Sequence, residues 1–131
     1  MTTTASEVVT PGILQAAGRC ATQLAQIVLC RGCCCGQTDR GRPPVPIDEM
    51  KAIWKVERLN RSVQLSVSGC LGPCKRANVV LLITPERLVW LGGLSTGLEY
   101  AAVVSWALES RDACRVMPLP LLLERARFIR F

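Results

Sequence analysis

The chain has 131 residues, half of them apolar, a net charge of +6 and no histidine. That length suits one domain with a single core, and the apolar share excludes a largely disordered chain. The missing histidine excludes Ser-His-Asp and Cys-His catalysis, His-ligated haem, Rieske centres and mixed Cys/His zinc sites.

Six aromatic residues leave the core to Leu, Val, Ile and Ala. This mixture predicts an α/β fold with a mixed sheet flanked by helices. Residues 1–25 read as an N-terminal extension, polar at first, with a short helix expected over 12–25 from Ile13, Leu14, Ala17 and Leu24. Residues 26–29 form a short apolar strand that runs into Cys30. A polar loop follows, and Pro43, Pro44 and Pro46 bar regular structure until about Ile47. The segment 47–60 is expected to be helical. Asp48 and Glu49 sit in its first turn and Lys51, Lys55 and Arg58 later, as the helix dipole prefers, with Ile47, Met50 and Trp54 on one face.

Val63, Leu65 and Val67 alternate with polar residues, which gives a strand over 63–68. The apolar run 78–84 suits a central strand, and 88–92 its antiparallel neighbour after a turn at 85–87. Ser95 or Thr96 can cap a helix reaching about Ser110, with Ala101, Val104 and Leu108 on one face. Trp54, Trp90 and Trp106 lie on these elements and are expected in the core. The unit 26–112 is thus one domain, followed by a tail over 113–131. From Pro118 the tail interleaves leucines and phenylalanines with Arg125, Arg127 and Arg130, and so reads either as a segment folded back on the core or as a docking arm.

No apolar run approaches the roughly 18 residues that a membrane helix needs. The first ten residues lack the basic and apolar regions of a secretory signal, so a cytoplasmic location is expected. There, clustered cysteines are metal ligands or redox groups more often than disulfide staples. The basic residues are scattered and lack an aromatic platform, which argues against nucleic acid. They read as a solvated surface or as a docking face for an acidic redox partner.

Eight cysteines therefore carry the question. Cys30-x4-Cys35 is followed, after 34 intervening residues, by Cys70-x3-Cys74. Each pair lies in a glycine-containing loop after an expected strand, so neighbouring strands can deliver both to one sheet edge. Four thiolates gathered there suit a tetrahedral zinc or a [2Fe–2S] cluster. Arg31, Lys75 and Arg76, with backbone N–H groups near Gly32, Gly36, Gly69 and Gly72, would favour a reduced, more negative cluster. Cys30-Arg31-Gly32-Cys33 also has the spacing of a dithiol redox motif. Cys20 and Cys114 are expected to be small buried thiols.

The C-x4-C, the gap, and the C-x3-C set in Ser-Gly-Cys-Leu-Gly-Pro-Cys-Lys-Arg-Ala-Asn resemble the thioredoxin-like [2Fe–2S] ferredoxins. These are related to the 24-kDa-type subunit of respiratory complex I and of NAD-linked hydrogenases. The resemblance implies a thioredoxin-like fold and a [2Fe–2S] cluster on Cys30, Cys35, Cys70 and Cys74, with Cys33 the alternative to Cys35. It further implies a one-electron carrier or an accessory subunit of a larger oxidoreductase, as a homodimer or hetero-oligomer, rather than an enzyme by itself. A structural zinc module and a dithiol oxidoreductase stand as the other readings.

Overall fold

The computed structural model describes residues 20, 22–31, 35–41, 43–72 and 76–129. Among them five strands form one mixed sheet in the order β2-β1-β3-β4-β5. The strands are β1 (Ala25–Cys30), β2 (Val63–Ser68), β3 (Val80–Ile83), β4 (Leu88–Leu91) and β5 (Arg127–Phe128). β1 and β2 run parallel from the pair Ala25 and Val63 to the pair Cys30 and Ser68. The remaining neighbours are antiparallel. Strands β1 to β4 have the thioredoxin-like arrangement expected from the sequence, and β5 extends it.

Position in the sheet explains the two hydrophobic patterns. β1 and β3 have neighbours on both sides and are buried over nearly their whole length. Edge strand β2 is less covered: Val63 is buried and Leu65 packs against the core, but Val67, expected on the same face, reaches solvent as Gln64 does.

The helices are α1 (Ile47–Glu57), α2 (Gly97–Ala113) and the single turn α3 (Leu121–Glu124). Ile47, Met50 and Trp54 are the buried face of α1, as the spacing predicts. They join Ile27, Leu29, Val80, Leu82 and the inner side of α2 in the larger core. The second core, on the other side of the sheet, holds Val28, Cys30, Cys35, Leu81 and Trp90, and among the described residues no helix contributes to it. The indole N–H groups of Trp54 and Trp106 donate to the carbonyls of Val63 and Met117, both at 2.7 Å, which fixes two bulky core rings without leaving a polar atom unpaired.

Several local expectations change. Residues 22–24 are not helical and Ala25 opens β1, while most of the helix expected over 12–25 lies outside the described residues. α1 stops at Glu57 because Arg58 turns left-handed, φ 53°, and its N–H caps the carbonyls of Lys55 and Trp54. On α2 the buried face is Tyr100, Val103, Trp106, Ala107 and Ser110 rather than that of Ala101, Val104 and Leu108. That helix is apolar around much of its circumference, so periodicity alone did not choose the face. Its start is marked as expected: Thr96 and Glu99 form a reciprocal capping box.

The tail folds back. Leu123 is fully buried in the larger core, and Arg127 and Phe128 pair with Leu91 and Trp90. Cys20 and Cys114 are joined in a disulfide instead of standing as separate buried thiols.

Candidate functional site

The parallel register puts Cys30 and Ser68, the last residues of β1 and β2, side by side. The loops that follow must therefore start from one edge of the sheet. They are tied at once: the Arg31 N–H donates to the Ser68 carbonyl at 2.9 Å, and the Cys30 thiol lies 3.6 Å from the Gly69 carbonyl. Cys70 comes immediately after and is exposed. On the other side of β1, the Cys30 N–H donates to the Val79 carbonyl at 3.2 Å.

Cys35 returns to the same place from the loop after β1. It is 2 % exposed, and the Val79 N–H donates to its sulfur at 3.3 Å. Its thiol is also hydrogen-bonded to Cys30 and senses the charge of Cys70. Burial is the first cause that pushes this thiol from 9.0 up to about 12, followed by the Cys30 hydrogen bond, while the Val79 N–H pulls the other way. Cys30, Cys35 and Cys70 are thus brought into one neighbourhood.

Cys74, Cys33, Cys34, Gly32 and Lys75 lie outside the described residues, so the fourth position and the choice between Cys35 and Cys33 rest on the sequence. Among the described residues, no three Cys, Asp or Glu side chains gather closely enough to hold a single metal ion.

Asn78 holds the cysteine loop in position. It is fully buried just before β3, and its side-chain oxygen accepts from the Gly36 N–H at 2.8 Å. Its amide nitrogen donates to the Pro43 carbonyl at 2.7 Å, and its backbone carbonyl accepts from the Leu94 N–H at 3.2 Å. One side chain thereby spans both ends of the loop from Gly36 to Pro43. Gly36 has a φ of +74° and packs closely on Val45, so a side chain there would strain the turn that presents Cys35.

Beside Asn78 lies Tyr100, 3 % exposed, whose hydroxyl has no hydrogen-bond partner of normal geometry. Burial raises this phenol first, and the charges of Cys35, Glu99 and Cys30 add to the effect against the side chain of Asn78. Sequence reasoning missed both residues. Asn78 reads as the first residue of the strand run 78–84, and Tyr100 is not among the residues placed on the apolar face of the following helix. The available sign was that Tyr100 is the chain's one tyrosine, set among apolar neighbours.

A cavity of about 320 Å³ opens on the outer side of Cys35, lined among others by Arg31, Gln37, Val45, Asp48 and Glu49. The rim therefore carries both signs of charge. On the opposite flank the Arg76 guanidinium stacks over the Phe128 ring, 4.9 Å from its centroid. Among the described residues no helix is long and apolar enough to cross a membrane.

No protein-family model and no curated protein matches this chain. Among solved structures, the wild-type thioredoxin-like [2Fe–2S] ferredoxin from Aquifex aeolicus is similar to it, with a TM-score of 0.49 and 15% identity over 83% of this chain and 100% of that one.

Proposed function

We propose that this protein carries single electrons on one [2Fe–2S] cluster held by Cys30, Cys35, Cys70 and Cys74. The observation that supports this most is the convergence of Cys30, Cys35 and Cys70 from two loops on one sheet edge, with two of the sulfurs buried and hydrogen-bonded together. The donor set is sulfur alone, the type that iron–sulfur clusters take. A single tetrahedral ion needs its ligands around one point, at about 2.3 Å for zinc. A two-iron cluster is held from two sides, which suits one ligand pair on each loop.

When bound, the cluster supplies one reversible electron. The chain's own residues do the rest. Val79 directs its N–H at the Cys35 sulfur and so favours a charged sulfur. Asn78 fixes the loop through Gly36 and Pro43. Arg31 and Arg76 place positive charge on the flanks, where an acidic redox partner, or the body of a larger oxidoreductase, would be steered.

The test is to purify the protein anaerobically, reconstitute it with iron and sulfide, and measure both together with zinc. Two irons and two sulfides per chain are expected, with visible absorbance that bleaches on one-electron reduction and disappears in Cys70→Ser and Cys74→Ser. Colourless protein with one tightly held zinc would establish the structural-metal reading. Metal-free protein that cycles a Cys30–Cys33 or Cys30–Cys35 disulfide would establish the dithiol reading.

A further inference from the structure

The loop after β1 carries Cys33, Cys34 and Cys35 in succession, three thiols of one chemical kind, so only position can decide which of them becomes a ligand. Two consecutive residues just before β3 supply that position. The Val79 N–H donates to the Cys35 sulfur at 3.3 Å, and the Val79 carbonyl accepts from the Cys30 N–H at 3.2 Å. Asn78 bonds the residue next to Cys35: its side-chain oxygen accepts from the Gly36 N–H at 2.8 Å, and its amide nitrogen donates to the Pro43 carbonyl at 2.7 Å. The Leu94 N–H, donating to the Asn78 carbonyl at 3.2 Å, holds Asn78 itself. A buried amide is unfavourable unless both its ends are satisfied, and leucine would fill a place at the head of an apolar run without that demand. Asn78 is fully buried there, and its amide accepts at one end of the loop and donates at the other, which neither an apolar side chain nor a carboxylate can do. A shift of the loop by one residue, bringing Cys34 to Val79, would put Cys35 in the place of Gly36; a shift by two, bringing Cys33, would put Cys34 there. That place has a φ of +74°, and a Cβ in it would stand 3.2 Å from Val45 Cγ2. Either shift sets a cysteine in a left-handed turn that favours glycine.

We propose that Asn78 is the positioning residue that selects Cys35, over Cys34 and Cys33, as the ligand offered by this loop. By holding the Gly36 N–H it fixes the register of the loop, and the Val79 N–H beside it then meets the Cys35 sulfur. The selection acts already in the metal-free protein, whereas what the selected sulfur binds rests on the cluster reading above.

The test treats metal-free wild type, Asn78→Ala and Gly36→Ala with iodoacetamide and reads the alkylation rate of each cysteine by mass spectrometry. Alkylation of Cys35 is expected to rise about tenfold in Asn78→Ala, from easier local opening, while that of Cys30 stays as it was. Should Asn78→Ala fail to fold, Gly36→Ala disturbs the same register from the loop side and should have the same effect. In reconstituted wild type, Cys33→Ser and Cys34→Ser are expected to keep two irons and an unchanged EPR spectrum, and Cys35→Ser is not. In the Asn78→Ala background, Cys33→Ser or Cys34→Ser should alter the spectrum, because a neighbouring sulfur then competes for the position. Equal rises at Cys30 and Cys35 would be general loosening and overturn the selection. So do Cys35 rates unchanged in both variants, a wild-type cluster that depends on Cys33 instead of Cys35, or an Asn78→Ala cluster indifferent to Cys33 and Cys34. Wild type that takes up no iron and sulfide overturns the cluster reading, and the alkylation rates then decide the register by themselves.

Discussion

Burial and the hydrogen bond that it donates to Cys30 hold the Cys35 thiol protonated well beyond the usual range, up to about 12. In the metal-free protein this has a definite sign. The unfolded chain releases that proton near 9.0 and the folded chain near 12, so the folded state binds more protons between these values. The contribution is fully present below pH 9 and is lost as pH rises toward 12. Urea midpoints of metal-free wild type are therefore expected to fall more steeply from pH 8 to pH 11 than those of Cys35→Ser. Parallel profiles would show that Cys35 is not buried as described. The same proton must leave when a metal binds, so iron uptake at this position is favoured by rising pH. The cysteine spacing made this site visible in the sequence because thiolate ligands are recognised by type and interval. The residue that holds its loop was not visible, because Asn78 acts through buried hydrogen bonds that only the packed chain creates.

Among the elements, the junction of β4 with β5 is the most closely fitted. A methyl group at Gly92 would meet Phe128 Cε1 at 2.8 Å and Arg76 Cβ at 2.9 Å. The Phe128 ring is held there by the tilted contact with Trp90, 6.2 Å between centroids, and by Arg76 above it. Gly92→Ala is thus expected to cost about 1–3 kcal/mol by forcing the ring out, read from urea unfolding. Pairing it with Phe128→Ala should remove the part of that cost due to the ring and leave the part due to Arg76, whereas simple additivity would mean that residues 92 and 128 do not touch. This fifth strand was not legible in the tail, where leucines and arginines gave an amphipathic pattern without a strand period. Strands β1 to β4 and helix α1 were legible because length, alternation and flanking prolines agree with their place in the sheet. α2 was legible in extent but not in orientation, since apolar residues surround much of it and only tertiary packing selects Tyr100, Val103 and Ala107.

Taken as a whole, the molecule is fastened at two opposite ends. The cysteine site lies where β1 and β2 finish. The Cys20–Cys114 disulfide lies toward where they begin, with the Ser62 hydroxyl donating to the Cys20 carbonyl and the Leu24 N–H to the Ser62 carbonyl. This bond joins the segment before β1 to the end of α2 across a sequence separation of 94 residues. Closing a loop of that length removes much of the unfolded chain's freedom and contributes up to about 4–5 kcal/mol. The expectation of a reducing cytoplasm does not account for such a bond, because that setting leaves thiol pairs open. The distance in topology between the two ends makes the outcome separable. Cys114→Ser should lower the melting temperature by more than roughly 10 °C, and dithiothreitol should bring wild type down to the same value while leaving the variant unchanged. Iron content and the visible spectrum of the reconstituted protein should stay the same in both, since the site's own cysteines remain thiolates throughout. A melting temperature indifferent to both treatments would mean that the pair is not bridged in solution. Loss of iron on reduction of the bond would mean that the two ends are coupled through the sheet.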